Sequence, residues 1–550
     1  MNRTVKIVAI VVAVLLVIII AIPFFIDANS YRPKIEADLT TTLGRPVKVG
    51  NLSLSLLTGS VAASDISIAD DPAFSKSPFV QAKSLKVGVE LIPLIFSKTL
   101  NVTEMTLNEP EISLVKSENG EKWNYSSLGG NNASAANSAT AGSPNSKPAA
   151  PASNAPTQPA TSAPSSNASL SVAKLNVSNG RLTISRAGSS EKPRVYDKVD
   201  ITLSDFSFTS SFPFKLNARL PGDGSLKIEG KAGPIDATDT ARTPLDAKVT
   251  VGKMNLAESG FIDPAAGISG IADFDGSVTS DGHEAKTNGT LKATNLQVVK
   301  KGSPAGKPVQ VTYTVNFDLV KQTGNIPQCE IATGKAVAHL DGTYDAHGAV
   351  TSVNLKLNGQ GMPVDDLETM LPALGVVLPP KSQLKGGDLN TSMTIVGPVD
   401  KLVTTGTVRM ENTTLANFNL GSKLSAITAL SGKNTGNDTT IQNFSSNVRV
   451  APEGTRAENI NLTVPSLGVV TGAGTVSPSN ELAFKLSANV GGMGAIPLTV
   501  SGTTSDPKFL PDIKGIAGGM LKNALNGQGA AGQQNPVNSV MGLFNKKKPK

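Results

Sequence analysis

The chain has little of the residue types from which disulfide frameworks and histidine-based sites are built. Its 550 residues include one cysteine, Cys329, which cannot form an internal disulfide. The three histidines, His283, His339 and His347, are far apart and match no metal-binding spacing. A serine or cysteine nucleophile would need a base within hydrogen-bond reach. The sequence therefore predicts no catalytic residue, no metal ligand and no enzyme.

Acidic pairs and glycine-rich runs give no stronger indication of chemistry. Asp70–Asp71 and Asp365–Asp366 occur where turns and helix N-termini favour acidic residues for structural reasons. The runs "TGAGTVS" and "GQGMP" lack the lysine of a phosphate-binding loop. We interpret them as turns, and we expect no cofactor.

Most of the net positive charge lies at the two ends of the chain, and the body between them is almost neutral. The formal net charge is +7. Six basic residues are terminal: Arg3, Lys6, Lys546, Lys547, Lys548 and Lys550. A nucleic-acid surface needs clustered lysines and arginines along one face, so we expect no nucleic-acid partner. The C-terminal "NKKKPK" is either a solubilising tail or a contact for anionic lipid headgroups.

The most hydrophobic segment runs from Ile7 to Ile26 without a charge. About 20 helical residues span the roughly 30 Å hydrocarbon core of a bilayer. A cleaved signal peptide has a shorter apolar region and a small-residue cleavage site, which this segment lacks. We therefore predict a transmembrane anchor whose residues include Ile7, Leu15, Leu16, Ile20, Phe24 and Ile26.

The charges that flank this segment predict its orientation. Arg3 and Lys6 precede it, and Asp27 is the first charge after it. Because positive residues stay on the cytoplasmic side, we expect a cytoplasmic N-terminus and a single pass. The rest of the chain is then expected on the far side of the membrane.

A low-complexity segment divides the remaining chain. From Gly129 to Ala168 the residues are mostly Ala, Ser, Asn, Pro, Gly and Thr, with Lys147 the one charge. Such a composition cannot offset chain entropy by burial, so it predicts a disordered linker. The expected regions are 1–26 (cytoplasmic stub and anchor), 27–128 (α+β module), 129–168 (linker), 169–360 (middle β region), 361–510 (C-terminal β region) and 511–550 (weak helix and basic tail).

Outside the linker the dominant pattern is an alternation of apolar and polar residues. This period of two predicts half-buried strands, and the absence of βαβ spacing predicts an antiparallel, meandering sheet. Short helices are predicted within "NSYRPKIEADLTTTLGRPVKV", where Ile35, Leu39 and Leu43 share one face and Gly44 is the C-cap, and at 363–375 and 420–432. The apolar side chains of the strands are candidates to line a groove: Leu85, Val87, Val89, Leu91, Leu182, Ile184, Leu216, Leu355, Leu357 and Phe484. In a closed sandwich the same residues would form a core, and periodicity does not distinguish these alternatives.

Several short motifs resemble the AsmA family of bacterial envelope proteins. They lie within "DANSYRPKIEADLTTTLGRPVKVGNLSLSL", "VGVELIPLI", "NEPEISLVKSENGEKWNY" and "VSGTTSDPKFLPD". The matching residues are Asp27, Asn29, Tyr31, Arg32, Pro33, Gly44, Arg45, Val47, Leu91, Pro93, Leu94, Pro110, Gly120, Trp123, Asn124, Gly502, Thr503, Asp506, Pro507, Pro511 and Asp512. The linker is a departure from the family pattern.

The resemblance implies a protein of the bacterial inner membrane whose bulk is periplasmic. It implies a mainly β fold: a long, antiparallel, curved sheet that forms a hydrophobic groove, with a few short helices after the N-terminal transmembrane helix. The expected function is non-enzymatic binding or conduction of phospholipid between inner and outer membrane, in support of outer-membrane biogenesis. Expected partners are phospholipid acyl chains, the inner membrane and outer-membrane or other periplasmic proteins. The alternative is a periplasmic scaffold or assembly factor with a closed β core.

Overall fold

A computed structural model describes residues 28–55, 59–90, 102–118, 122–128, 171–189, 192–236, 239, 242–260, 262, 266–348, 350–424, 436–489 and 495–511. The predicted anchor, Leu91, the predicted linker and the C-terminal tail lie outside the described residues. No helix in these ranges is both long enough and apolar enough to span a bilayer. The described chain is mainly β, as predicted, and folds into two units.

The first unit comprises residues 1–376 and 392–402. In it β1 and β2 both pair with β3, and from β4 to β16 each strand pairs with the strand before it. Its strands are β1 (Val47–Lys48), β2 (Leu52–Ser55), β3 (Ser60–Ile68), β4 (Val80–Val89), β5 (Val102–Lys116), β6 (Ser171–Arg186), β7 (Arg194–Ser207), β8 (Phe212–Arg219), β9 (Ser225–Ala232), β10 (Leu245–Asn255), β11 (Ser269–Ser280), β12 (Glu284–Gln297), β13 (Val309–Asp318), β14 (Thr323–Thr333), β15 (Ala336–Asp345) and β16 (Ser352–Pro363).

One pairing in the first unit corrects the prediction of an antiparallel meander. Strands β5 and β6 are parallel, with Glu104 opposite Lys174 and Lys116 opposite Arg186. Parallel neighbours need a crossover connection, because the chain must return to the end at which the first strand began. The predicted linker lies between these two strands. Periodicity could not reveal the pairing, since it reports which face a residue occupies and not the direction of a strand.

The second unit comprises residues 377–391 and 403–550, and it contains a buried core. Leu424, Val464, Leu467 and Ile496 are almost fully buried there. The strands are β17 (Gln383–Lys385), β18 (Asp388–Pro398, of which the residues from Ser392 onward belong to the first unit), β19 (Val403–Ala416), β20 (Thr439–Ala451), β21 (Gly454–Val464), β22 (Gly468–Val476), β23 (Leu482–Asn489), β24 (Ala495–Gly502) and β25 (Pro507–Pro511).

The three α-helices found in the described part of the chain are short. Helix α1 (Arg32–Leu43) follows a 3₁₀ turn and ends at Gly44, whose φ of 68° is the left-handed conformation expected of a helix C-cap. Helix α2 (Val364–Glu368) is shorter than the predicted 363–375, because the chain continues as hydrogen-bonded turns up to Val376. Helix α3 (Leu420–Lys423) covers the start of the third predicted helix, and residues 425–432 lie outside the described residues.

A buried polar network stabilises the N-terminal module around Arg45. Its guanidinium forms an ion pair with Asp70 (3.4 Å) and donates hydrogen bonds to the hydroxyl of Ser127 (2.7 Å) and to the backbone carbonyl of Asn124. The side chain of Asn124, which is fully buried, donates in turn to Asp70 at 2.9 and 3.1 Å. The guanidinium also lies over the ring of Phe79. Arg45 and Asn124 therefore have a structural role, in which every buried polar group finds partners.

Candidate functional site

The most extensive feature of the first unit is a continuous row of apolar residues that crosses fifteen strands, from β2 to β16. Each member lies directly opposite the next on the neighbouring strand, so all of them share one face of the sheet. The row is Leu52, Ala63, Leu85, Leu107, Val177, Ile201, Leu216, Ile228, Val249, Gly276, Gly289, Tyr313, Cys329, Leu340 and Leu357.

Parallel rows extend this surface on both sides. One runs from Val87 through Met105, Leu175, Leu203 and Phe214 to Val315 on β13. Two more rows cross β8 to β16. The first is Ala218, Leu226, Val251, Phe274, Leu291, Val311, Ile331, Ala338 and Gly359. The second is Phe212, Ala232, Leu245, Ser280, Ala285, Phe317, Gly324, Tyr344 and Val353. We call the surface formed by these four rows the apolar face.

Most large side chains of the apolar face are only half-buried. Leu216, Ile228, Val249, Leu340 and Leu357 all have this intermediate exposure. One of the two core clusters found among the described residues includes the first member of the row, Leu52, with Ala63 packed against it, and the other lies in the second unit. The other members of the row belong to neither cluster. Neighbours on the same face therefore cover the sides of these residues, but their outer surfaces remain open to a hydrophobic ligand.

The opposite face of the same strands is polar. Along β8 to β10 it carries Lys215, Glu229 and Lys248 directly opposite one another. Lys227 donates a side-chain hydrogen bond to Glu229 and thereby lowers the pKa of that carboxyl. Lys248 pairs with Asp275 at 3.6 Å. Such exposed pairs contribute little stability, and this face matches the solvated side of an antiparallel sheet.

Aromatic rings on the apolar face lie against glycines of adjacent strands. A methyl group on Gly289 would lie 2.7 Å from Cε2 of Phe274, and one on Gly324 would overlap the ring of Tyr344. The ring of Tyr344 stacks on Phe317 with a centroid distance of 5.8 Å and an interplanar angle of 2°. Glycine has no side chain that would occupy this space, so the rings of Phe274 and Tyr344 each lie over a glycine of the adjacent strand. We call the rings of Phe274, Phe317 and Tyr344 the aromatic floor.

A shallow cavity of about 760 Å³ lies over this floor at the end of strands β12 to β16. The rings of Phe317 and Tyr344 line it together with Val353, and polar residues at the strand ends form its rim. Burial raises the pKa of the Tyr344 hydroxyl. The cavity belongs to the apolar face, because Phe317, Gly324, Tyr344 and Val353 of its lining are members of one row of that face.

The ten groove-lining candidates from the sequence divide into several groups. Leu85, Leu216 and Leu357 belong to the fifteen-strand row, and Val87 belongs to the row beside it. Leu355 lies between these rows at the β16 end, opposite Gly342. Val89 is buried at the end of β4.

The remaining candidates lie apart from these rows. Leu182 and Ile184 form a separate short row with Ile112 and Leu114, beyond a bulge at Asn179. Phe484 is in the second unit, where it packs against the buried core. Leu91 lies outside the described residues.

The aromatic floor was not predicted from the sequence, although a signal for it was present. In "VQVTYTVNFD" the residues Val309, Val311, Tyr313, Val315 and Phe317 alternate with polar residues, which places both rings on the apolar face. Their glycine neighbours come from other strands. Only the strand register brings Gly324 opposite Phe317 and Tyr344.

The titratable residues considered for chemistry do not converge on one site. His339 is exposed on the polar face, and His347 pairs with Asp345 at 2.8 Å in an exposed turn. Asp71 caps a turn, and the hydrogen bond that it accepts from the backbone N–H of Ala73 lowers its pKa. Within the described ranges no three metal-ligating side chains are grouped together.

The family of this chain follows from a comparison with models of known protein families. The model of the AsmA family matches residues 1–297, more than half of the chain. The chain belongs to the AsmA family. The match extends from the predicted anchor through β12, so it includes the Arg45 network and most of the fifteen-strand row. Searches of curated proteins and of solved structures gave no match to this AsmA-family chain.

Proposed function

We propose that this AsmA-family protein binds phospholipid acyl chains on its apolar face and conducts them between the inner and outer bacterial membranes. The observation that carries the proposal is the unbroken fifteen-strand row whose large side chains are half-buried. A sheet face of this kind offers continuous apolar contact, and each methylene buried against it contributes about 0.8 kcal/mol. The role is non-enzymatic and supports outer-membrane biogenesis.

The length of the row suits movement of lipid rather than storage of one molecule. Fifteen strands at about 4.8 Å spacing give a path of about 65 Å, roughly twice the hydrocarbon thickness of a bilayer. Family membership supports a role in the cell envelope. In the proposed arrangement, the predicted segment Ile7–Ile26 is a single-pass inner-membrane anchor with a cytoplasmic N-terminus. It holds the β2 end of the row near that membrane, and the sheet is periplasmic.

Photocrosslinking tests the proposal at adjacent residues on opposite faces of one strand. A benzophenone amino acid at Leu216 would face the proposed lipid path, whereas the same group at Asn217 would face solvent. We expect phospholipid adducts from position 216 and not from position 217, detected by mass spectrometry after irradiation in cells. A second pair, Leu340 and His339, tests the path seven strands further along.

The same experiment distinguishes lipid conduction from the scaffold alternative. The buried core of the second unit favours the scaffold alternative for that part of the chain. Adducts to outer-membrane proteins, with no acyl chains at either Leu216 or Leu340, would replace lipid conduction by an assembly role. Equal lipid labelling at Leu216 and Asn217 would show contact with lipid that does not depend on the apolar face, and would contradict the proposal.

The proposed role of the anchor has its own test. Replacing Ile7–Ile26 by a cleavable signal is expected to leave a folded released domain that no longer supports the function. If the released form complements as well as the full chain, the anchor only localises the protein and takes no part in lipid entry.

A further inference from the structure

Two loops at one end of the strands of the first unit form a second, smaller apolar surface. The loop between β12 and β13 exposes Val299, and the turns that follow α2 expose Leu374 and Val376, with relative exposures of 36%, 51% and 37%. A methyl group on Gly375 would lie 3.0 Å from Cγ2 of Val299, so the two loops are in contact. We call these three residues the loop patch.

Backbone hydrogen bonds hold the loop patch rigid. Val298 donates to the carbonyl of Ala373 (3.0 Å), Ser303 donates to Pro372 (2.8 Å), and Gly306 donates to Thr369 (2.9 Å). Ala373, between the two loops, is fully buried. Val299, Leu374 and Val376 therefore lie on backbone that is already ordered, so binding through them costs little conformational entropy.

The two loops that carry the loop patch contain basic but no acidic residues, and the acidic residues of α2, Asp365, Asp366 and Glu368, directly precede the second loop. Residues 298–308 and 369–376 contain three lysines and no acidic residue. Lys307 is engaged by Asp366, whereas Lys300 and Lys301 are exposed and form no ion pair among the described residues. Two available cations thus lie beside three exposed apolar side chains.

We propose that the loop patch inserts into the headgroup region of an anionic lipid surface, with Lys300 and Lys301 contacting the headgroups. Lysine near an anionic leaflet gains about fivefold in affinity per residue. A stable protein partner would need about 800 Å² on each side and would disfavour lysine, whereas three small apolar side chains suffice for shallow insertion. This contact is distinct from the apolar face and does not depend on lipid binding there.

Site-specific fluorescence on the full chain tests this contact separately from the N-terminal anchor. Cys329 is the only cysteine, so Cys329→Ala permits a single label at Leu374→Cys. The matched control is Val320→Cys. Val320 is 60% exposed and adjacent to a lysine, Lys321, which is neutralised by Asp318 at 2.8 Å. Each labelled chain is reconstituted into phosphatidylcholine vesicles with or without phosphatidylglycerol, containing nitroxide-labelled lipid as quencher.

The expected result is quenching and a blue shift for the label at position 374 in phosphatidylglycerol vesicles, and neither effect for the label at 320. Lys300→Ala with Lys301→Ala should lower the ratio of inserted to free patch roughly 25-fold. Quenching at 374 no greater than at 320 would overturn the proposal. Quenching at 374 that is unchanged by the two lysine substitutions would also overturn it. Quenching at 374 that is equally strong in vesicles of pure phosphatidylcholine would overturn it as well. A blue shift without quenching that grows with protein concentration would indicate a second copy instead, and would also overturn it.

Discussion

The ring of Tyr344 lies over Gly324 on the neighbouring strand and is parallel to the ring of Phe317, with a centroid distance of 5.8 Å. All three atoms nearest to a methyl group at position 324 belong to the Tyr344 side chain and none to the backbone. A side chain at position 324 would therefore occupy the space that the Tyr344 ring fills. The proposed lipid path crosses the apolar face at this point.

Gly324→Ala should force the Tyr344 ring away from the sheet. We expect overpacking to cost about 1–3 kcal/mol. Burial raises the pKa of Tyr344 above the ordinary value of 10.0, so a ring moved into solvent should titrate closer to 10.0. Tyrosinate absorbance measures this shift, with Tyr344→Phe identifying the contribution of that residue.

The control for this change is Gly348→Ala, because a methyl group at position 348 makes only ordinary van der Waals contact. We expect it to leave both stability and the Tyr344 titration unchanged. If Gly324→Ala also leaves stability and the Tyr344 titration unchanged, the glycine does not determine the position of the ring.

Asp70→Asn should strongly destabilise the N-terminal module. Arg45 and Asp70 are 4% and 6% exposed, and removal of one partner leaves a buried charge uncompensated, which costs about 3–5 kcal/mol. Chemical denaturation followed by the fluorescence of Trp123, the only tryptophan, reports on this module directly. Trp123 adjoins Asn124 of the same network.

The neighbouring Asp71→Asn is the matched comparison. Asp71 is less buried and accepts hydrogen bonds from Ser127 (2.8 Å) and the backbone of Ala73 (3.0 Å), so its loss should cost about 1 kcal/mol. Equal effects of the two substitutions would contradict a special role for the Arg45–Asp70 pair.

The stabilising contribution of Asp366 should depend on pH. The side-chain hydrogen bond from Lys307, followed by the one from the backbone N–H of Lys335, lowers the pKa of Asp366 below 3.8. Because the carboxyl is more acidic in the folded than in the unfolded chain, it stabilises the fold at neutral pH. That contribution is lost as the pH falls through the folded-state pKa.

Asp366→Asn should therefore lower the unfolding temperature at pH 7, and the difference from the unsubstituted chain should shrink at pH values below the folded-state pKa. Differential scanning calorimetry across this range measures the effect. Asp365→Asn, an exposed neighbour, should show a smaller difference. A destabilisation by Asp366→Asn that is constant with pH would assign the effect to packing instead of charge.

The segment between β5 and β6 should have a minimum length. Glu104 and Lys116 are twelve strand positions apart, so the chain must return about 40 Å before it forms the parallel pair. Deletion of residues 135–154 leaves ample reach and should not alter stability. Residues 117–128 also contribute reach, because Trp123 already lies opposite Lys116. Reducing residues 129–170 to two residues, which with their flanking bonds extend at most about 11 Å, should therefore prevent the β5–β6 pairing.

Hydrogen exchange of the β6 amides measures this outcome, since unpaired strands exchange quickly. Unchanged protection in the two-residue variant would show that the two strands do not need the crossover that their parallel pairing implies. Loss of protection after the first, milder deletion would show that the segment does more than connect the strands.

Much of this fold could be predicted from the sequence because alternation is local. Val353, Leu355 and Leu357 share a face whatever their neighbours are, since side chains alternate along any strand. The motif residues Gly44, Arg45 and Asn124 likewise indicated the family from a short stretch of chain. Helix α1 and its glycine C-cap also follow from local signals.

The tertiary structure alone decided how these strands combine. Leu85 and Leu357 belong to one row only because fifteen strands pair in a particular register, and a slip of one residue would move a whole strand's apolar set to the other face. The parallel pairing of β5 with β6, the Tyr344 ring over Gly324 and the Arg45–Asp70 pair join residues that are distant in sequence. Local pattern carries no information on such contacts, because they depend on which strands meet and not on which residues alternate.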